Sequence, residues 1–449
     1  MDARRTVPAG LGWISILRLG LVQAALGAIV VLITSTLNRV MVVELGLAAV
    51  VPGFLIGAHY AVQILRPVWG HGSDVGGSRT RWIVFGLALL AVAGVGASAT
   101  TMLFESSYWV GLAAATACFL LIGFGIGAAG TSLLALLASR TAPQRRPAAA
   151  TIVWMMMIAG IVVTAIVSGA FLDPYSHPRL VVITAVTGVV AFTIATLAVR
   201  GIERAQPPLS PTAPAAPAAT FRQSLAETWS DRQARLFTVF VFMSMLAYSM
   251  QDLILEPFGG LLFSLTPGQT TSLSGLQHGG VLMGMAFVGF AGSLLSRRKP
   301  AILKIFTVGG CVGSGVALAA LATSATLAPA WPLKANIFVL GLANGIFAVA
   351  AIGTMMTLAG QARQSREGIR MGLWGAAQAV AFGLGGVLGT IAIDTARLVT
   401  GDVARSFAIV FSVEGLLFIV AALTALRIGV VRQDASLDIA PQAGLHPAE

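Results

Sequence analysis

The sequence predicts an all-α polytopic membrane protein in which twelve transmembrane helices form two six-helix halves. Three observations carry this. Of 449 residues, 57% are hydrophobic and 10% are charged, against roughly 25% charged in an ordinary soluble domain, so the polar surface that water demands is missing. Twelve apolar stretches stand out, at 16–37, 46–68, 82–103, 109–138, 148–171, 181–200, 236–257, 276–296, 302–325, 336–360, 373–394 and 406–426, each near the ~20 residues that cross a hydrocarbon core. Between the sixth and seventh lies AQPPLSPTAPAAPAAT, residues 205–220, whose Pro/Ala composition suits a flexible linker and no packed element. The reading is an N-terminal half at 1–200, a cytoplasmic linker at 201–235, a C-terminal half at 236–426 and a cytoplasmic tail at 427–449.

Charge orients the helices. If the N-terminus is cytoplasmic, only Arg39, Arg179, Lys334, Arg397 and Arg405 fall on the opposite side, and the other 23 of the 28 basic residues lie on the cytoplasmic side or at its span ends. That is a strong positive-inside bias, and an even number of spans puts both termini in the cytoplasm. The net charge of +11 is therefore topological, and nucleic acid is excluded as a partner. The opening MDARRTVPAG is basic with no small-residue cleavage site after a short apolar core, so an uncleaved first span is expected and not a signal peptide. Cys118 and Cys311, both in apolar stretches, provide neither a disulfide framework nor metal-ligand spacing.

The halves read as a duplication. At an offset of 220, Gly125-Ile126 falls on Gly345-Ile346, Arg146 on Arg366 and Trp154 on Trp374, with the same order of spans and basic loops. The loop after span 2, Gly70-His71-Gly72-Ser73-Asp74-Val75-Gly76-Gly77-Ser78-Arg79, resembles the loop signature of the major facilitator superfamily. Gly70, Asp74, Gly77 and Arg79 fit it, and Val75 and Ser78 replace two usual arginines. A carboxylate there caps a helix or pairs with an arginine, latching one conformation. The loop after span 8, Gly292 to Lys299, has Ser296 in place of the Asp.

Charges inside spans are costly and mark function. Span 7 carries Asp252 and Glu256, four apart and so on one helix face, followed by Pro257, Gly259 and Gly260, which predict a break in the helix. Arg39 lies 21 residues after Arg18, as Glu256 lies 21 after Arg235. Equivalent depths in spans 1 and 7 predict an intramembrane polar cluster of Arg39, Asp252 and Glu256, or an Arg39–Glu256 ion pair, closing the non-cytoplasmic side of a central cavity. The competing reading is that both residues simply reach the interface. Asp252 is also a candidate proton-coupling carboxylate, and Glu414 in span 12 reads as an interior hydrogen-bonding group. In span 2, His59, Tyr60 and Gln63 stand together, with His59 and Gln63 one turn apart. A neutral imidazole ligates metals, the central magnesium of a chlorophyll among them, although a lone helix histidine is more often bonded to a neighbour. His278 is a second such position, and Met155, Met156 and Met157 form an adaptable packing patch. No phosphate-binding loop, nucleophile motif or metal cluster is present in the sequence, and no enzyme is expected.

Several longer strings carry a more specific resemblance: Arg18-Leu19-Gly20-Leu21-Val22-Gln23, Thr36-Leu37-Asn38-Arg39-Val40-Met41, His59-Tyr60-Ala61-Val62-Gln63, Arg66-Pro67, Gly70-His71-Gly72-Ser73-Asp74, and Gln251-Asp252 through Glu256-Pro257 to Gly259-Gly260. Together they are similar to the PucC family, also called the bacteriochlorophyll delivery family, from about Arg18 to the last helix. The resemblance implies an assembly factor for light-harvesting antennae in the inner, intracytoplasmic membrane of a phototrophic bacterium. Its expected partners are antenna polypeptides, bacteriochlorophyll or its synthesis proteins, and the lipid bilayer. No intrinsic cofactor is implied, with bacteriochlorophyll entering as cargo, and the resemblance raises His59 as a pigment candidate, so that His59 and its neighbours Tyr60 and Gln63 are the pigment-binding candidates. The rival reading is a secondary transporter of a small solute, and a third is a scaffold that holds no pigment.

Overall fold

A computed structural model describes residues 10–63, 78–142, 145–205, 229–295, 301–360 and 367–429. These residues are helical throughout, with no strand among them. The helices are α1 (Trp13–Glu44), α2 (Val50–Val62), α3 (Arg79–Ser106), α4 (Tyr108–Arg140), α5 (Arg146–Leu172) and α6 (His177–Val199), then α7 (Arg232–Phe263), α8 (Pro267–Leu295), α9 (Ile302–Leu327), α10 (Leu333–Gly360), α11 (Glu367–Thr400) and α12 (Val403–Leu426). Within 201–235, residues Ile202–Ala205 form one further helical turn and α7 already begins at Arg232, while 206–228 lie outside the described residues.

Ten of the twelve are long and apolar enough to cross a membrane on those grounds alone. The other two differ for separate reasons. The described part of α2 has 13 residues. The long helix α8 starts at Pro267 and not at 276, because its first turns carry Thr270, Thr271, Ser274 and Gln277, which are buried in the interior, and the exposed Gln269, and these polar residues hide the span from an apolarity reading. Large apolar side chains that point outward, such as Trp109 (74% exposed), Phe290 (71%) and Phe171 (69%), suit lipid, since hydrocarbon makes no demand for a polar surface. The chain is a multi-pass membrane protein.

The principal packings repeat at a spacing of six helices. Contacts α1–α5, α1–α6, α2–α4, α3–α4 and α3–α6 in the first six are matched by α7–α11, α7–α12, α8–α10, α9–α10 and α9–α12 in the second. The two main contacts between the sets, α5–α8 and α2–α11, are exchanged by the same shift. One apolar core gathers Leu19, Leu87, Phe119 and Ile122 from the first six helices, and another gathers Phe240, Phe258, Phe347, Trp374 and Phe411 from the second. Glycines let the backbones meet, as small residues do where lipid offers no hydrophobic drive. Gly123 of α4 lies against the His59 carbonyl of α2, and Gly341 of α10 against the Gln277 carbonyl of α8. Those two pairs are related by 218 positions, whereas Gly125 faces α3 and Gly345 faces α8. The offset of 220 thus pairs glycines on different faces, and 218 brings these faces into register.

Candidate functional site

The polar residues of the interior concentrate where α1, α7 and α8 meet. Two π-helical turns, Leu32–Thr36 and Val40–Glu44, flank Asn38 and Arg39 in α1. Such turns alter the angle at which side chains leave a helix and are common at functional sites. Ser35 hydroxyl meets Ser274 hydroxyl at 3.2 Å, and Thr36 meets Thr271 at 2.9 Å. These bonds join the first half to the second.

Pro257 does not break α7, which runs continuously from Arg232 to Phe263. A proline inside a helix lacks the N–H that would bond the carbonyl four residues back, here Leu253. Asn38 replaces it, its Nδ2 donating to the Leu253 carbonyl at 2.6 Å. The helix therefore keeps its course through the proline by borrowing a donor from α1.

Arg39 is 3% exposed. Its guanidinium pairs with Glu44 on its own segment and donates to the Leu265 carbonyl in the α7–α8 turn at 2.8 Å. It lies over Gly260, where a Cβ would be 3.2 Å from Nε, one turn beyond Glu256. Arg39 and the hydroxyls of Thr270, Ser274 and Ser35 act electrostatically on the Glu256 carboxylate, yet neither of its oxygens has a hydrogen-bond partner in the described residues. The structure thus brings Arg39 and Glu256 into one cluster across the halves, with the direct ion pair made to Glu44. Glu44 was missed in the sequence because it sits at the end of the span, where an acidic residue reads as interfacial.

Asp252 belongs to a different group. It is half-buried and its charge acts on Tyr248 of α7 and on Glu414 of α12. Glu414 is fully buried and neither oxygen has a hydrogen-bond partner in the described residues. Phe382 of α11 lies between Tyr248 (centroids 5.9 Å) and Tyr60 (6.4 Å), so this group joins α2, α7, α11 and α12. Buried carboxylates without a counter-ion in bonding distance are costly in low dielectric and mark candidate functional positions.

His59 is 2% exposed, with its Nδ1–H donating to the Ile56 carbonyl at 2.6 Å and its ring 4.1 Å from that of Tyr60. Gln63 closes the described part of α2. In the neutral ring, a proton on Nδ1 leaves the lone pair on Nε2, the form that ligates a metal, but the residue is enclosed by the α2–α4 contact. His278 has the same tautomer, Nδ1–H donating to the Ser274 carbonyl at 2.9 Å, and is half-buried. Met156 and Met157 pack α5 onto α1, where Sδ of Met157 accepts from Gln23 Nε2 at 3.2 Å.

Gly70, Asp74 and Gly77 of the loop motif lie outside the described residues. Arg79 opens α3, and its guanidinium donates to the Ala135 carbonyl at 2.9 Å and to the Ser139 hydroxyl. The start of α3 is capped by Glu203, which accepts from the Ser78 hydroxyl (2.9 Å) and from the N–H groups of Arg79 (2.9 Å) and Thr80 (3.0 Å). Burial pushes the Glu203 carboxyl up, but these bonds outweigh it and hold it below its ordinary value of 4.5.

Comparisons with known proteins bear on these residues. The sequence profile of a family described as "PUCC protein" matches residues 36–433. The chain belongs to this family. It is 52% identical over 422 residues to the "Bacteriochlorophyll synthase 44.5 kDa chain" of Rhodobacter capsulatus, covering 94% of this chain and 97% of that one. It is 28% identical to "Protein PucC" of the same organism, over 90% of each. Among solved structures it resembles a bacterial homologue of the human lysosomal transporter Spinster in an inward-facing, unoccupied conformation (TM-score 0.70, 14% identity, 92% of this chain and 97% of that one). It also resembles a D-xylose-proton symporter (TM-score 0.68, 15% identity, 93% and 97%). The chain therefore has a major-facilitator-like fold.

Proposed function

We propose that this chain is a non-enzymatic assembly factor for bacterial light-harvesting antennae, which binds or delivers bacteriochlorophyll, nascent antenna helices, or both. The observation that carries the reading is the match along nearly the whole chain to family relatives, one of which bears bacteriochlorophyll in its name. The interior supports it. Two polar groups, around Glu256 and around Asp252 with Glu414, lie among apolar helices, the second beside Tyr248, Phe382 and Tyr60, a combination suited to a large apolar molecule with a few polar substituents. The sequence presents no nucleophile or phosphate-loop motif, which supports a binding role for the chain. Its place is the inner, intracytoplasmic membrane, and the basic bias of its loops puts both termini in the cytoplasm.

The test is an absorption spectrum of the protein purified in mild detergent from pigment-producing membranes, beside His59→Ala and His278→Ala samples. Bacteriochlorophyll in stoichiometric amount is the expected result, and its loss in one variant assigns the ligand. Colourless, folded protein would overturn pigment carriage and leave the scaffold role. A second reading, transport of a small solute by rocking of the halves, draws on the fold it shares with the sugar symporter, and substrate-dependent flux in vesicles would favour it.

A further inference from the structure

The two seams between the halves tighten toward one end of the molecule. Along α2 and α11, a Cβ built on Gly53 would lie 2.1 Å from Thr390 Oγ1, one on Gly57 2.6 Å from Val387 Cγ2, and one on Gly383 3.6 Å from the Tyr60 Cβ. Along α8 and α5 the progression is the same. Gly268 stands 2.4 Å by this measure from the Gly169 carbonyl and Gly275 2.9 Å from Ile166 Cγ1, while Gly279, one turn on, meets nothing within 4 Å. Both seams close at the end where α2 and α8 begin and spread toward the arginine-rich end.

At each closed end a carboxylate from one half caps a helix of the other. Ala49 occupies the N-cap position of α2 and has no side chain to cap it. Asp394 of α11 supplies the acceptor, taking the N–H of Ala49 at 3.2 Å and of Val50 at 2.7 Å. Asp173, which follows the last residue of α5, accepts from the Thr266 hydroxyl and from the Gly268 N–H at 3.1 Å. These are the groups that open α8, where Thr266 and Gln269 also bond each other reciprocally as a capping box. A carboxylate at a helix N-terminus satisfies orphan N–H groups and opposes the positive end of the helix dipole. The six-helix repeat exchanges α5–α8 with α11–α2, so the two caps are pseudo-equivalent.

We propose that Asp173 and Asp394 form a two-point latch that holds the halves together at this end, and that its release lets them part there and open the polar interior to that side. The latch is independent of which cargo the interior takes.

The test uses the full chain with Cys118→Ala and Cys311→Ala, a reporter Thr36→Cys, and a membrane-impermeant maleimide applied from the latched side. Thr36 is fully buried, so its modification rate follows the open fraction. A lost cap is expected to raise that rate about 5-fold, and Asp173→Ala with Asp394→Ala together about 30-fold, whereas Asn at either position, which still accepts hydrogen bonds, retains most of the protection. An unchanged rate in a monodisperse double variant overturns the proposal. Should the double variant not fold, the single variants decide by the same 5-fold criterion. A second measurement leaves the interior untouched: spin labels at Ser106→Cys and Ala330→Cys, both exposed, should gain a longer distance in the Ala variants, and an unaltered distribution together with unaltered labelling contradicts the latch.

Discussion

Asn38 shows how much one side chain can decide in a membrane. The carbonyl freed by Pro257 is buried, and an unsatisfied carbonyl there is expensive. Replacing Asn38 by Leu should cost about 1–3 kcal/mol, and Pro257→Ala should recover most of it by restoring the helix's own N–H. A thermal-unfolding double-mutant cycle checks this, and simple additivity would contradict it. Arg39 supports a second cycle. Because it pairs with Glu44 and only faces Glu256, exchanging the charges of Arg39 and Glu44 should rescue folded yield better than exchanging Arg39 and Glu256. The sequence placed Arg39 and Glu256 at one depth through their equal spacing from Arg18 and Arg235. It could not show that Arg39 turns to Glu44, since that choice is set by the π-helical turns and by the space over Gly260.

At the scale of the helix, ends are held by groups distant in sequence. Arg18 of α1 donates to the Ala198 and Arg200 carbonyls at the end of α6, and Lys304 of α9 to the Leu426 and Ile428 carbonyls at the end of α12, cations at the negative ends of helices. Glu203 does the opposite service at the start of α3. Its folded value lies below 4.5, so its contribution is complete at neutral pH and is lost as pH falls below 4.5 through that lower value. Hydrogen-exchange protection at the first turn of α3, taken relative to the intrinsic rate at each pH, should therefore fall on acidification, and Glu203→Gln should remove most of that pH dependence. Helix faces yield a steric prediction too. A Cβ on Gly345 would lie 2.1 Å from the Val281 carbonyl, whereas one on Gly289 meets nothing within 4 Å. Gly345→Leu should abolish monodisperse protein on size-exclusion chromatography, and Gly289→Leu should be tolerated. All twelve helices were legible as apolar stretches, but the polar first turns of α8 concealed its start, and Glu203 gave no signal beside Arg200 and Arg204.

For the whole molecule, the sixfold spacing of helix contacts explains why so much could be read from composition and charge. Lipid requires every span to satisfy its own backbone, so helix count and order follow from apolar length. What joins the halves does not, because Asp173, Asp394 and the Ser35–Ser274 and Thr36–Thr271 bonds are short polar residues whose partners lie far along the chain. The resemblance in spans 1, 2 and 7 covers the residues that the structure gathers around Glu256 and around Tyr60, which ties the family's sequence pattern to the interior. The assembly role is tested most directly by the near-infrared spectrum of membranes from a pigment-producing strain lacking this chain, with extracted pigments measured alongside. The account predicts that antenna bands fall while no bacteriochlorophyll precursor accumulates. Normal antenna bands, or a block in pigment synthesis with precursors accumulating, would contradict it.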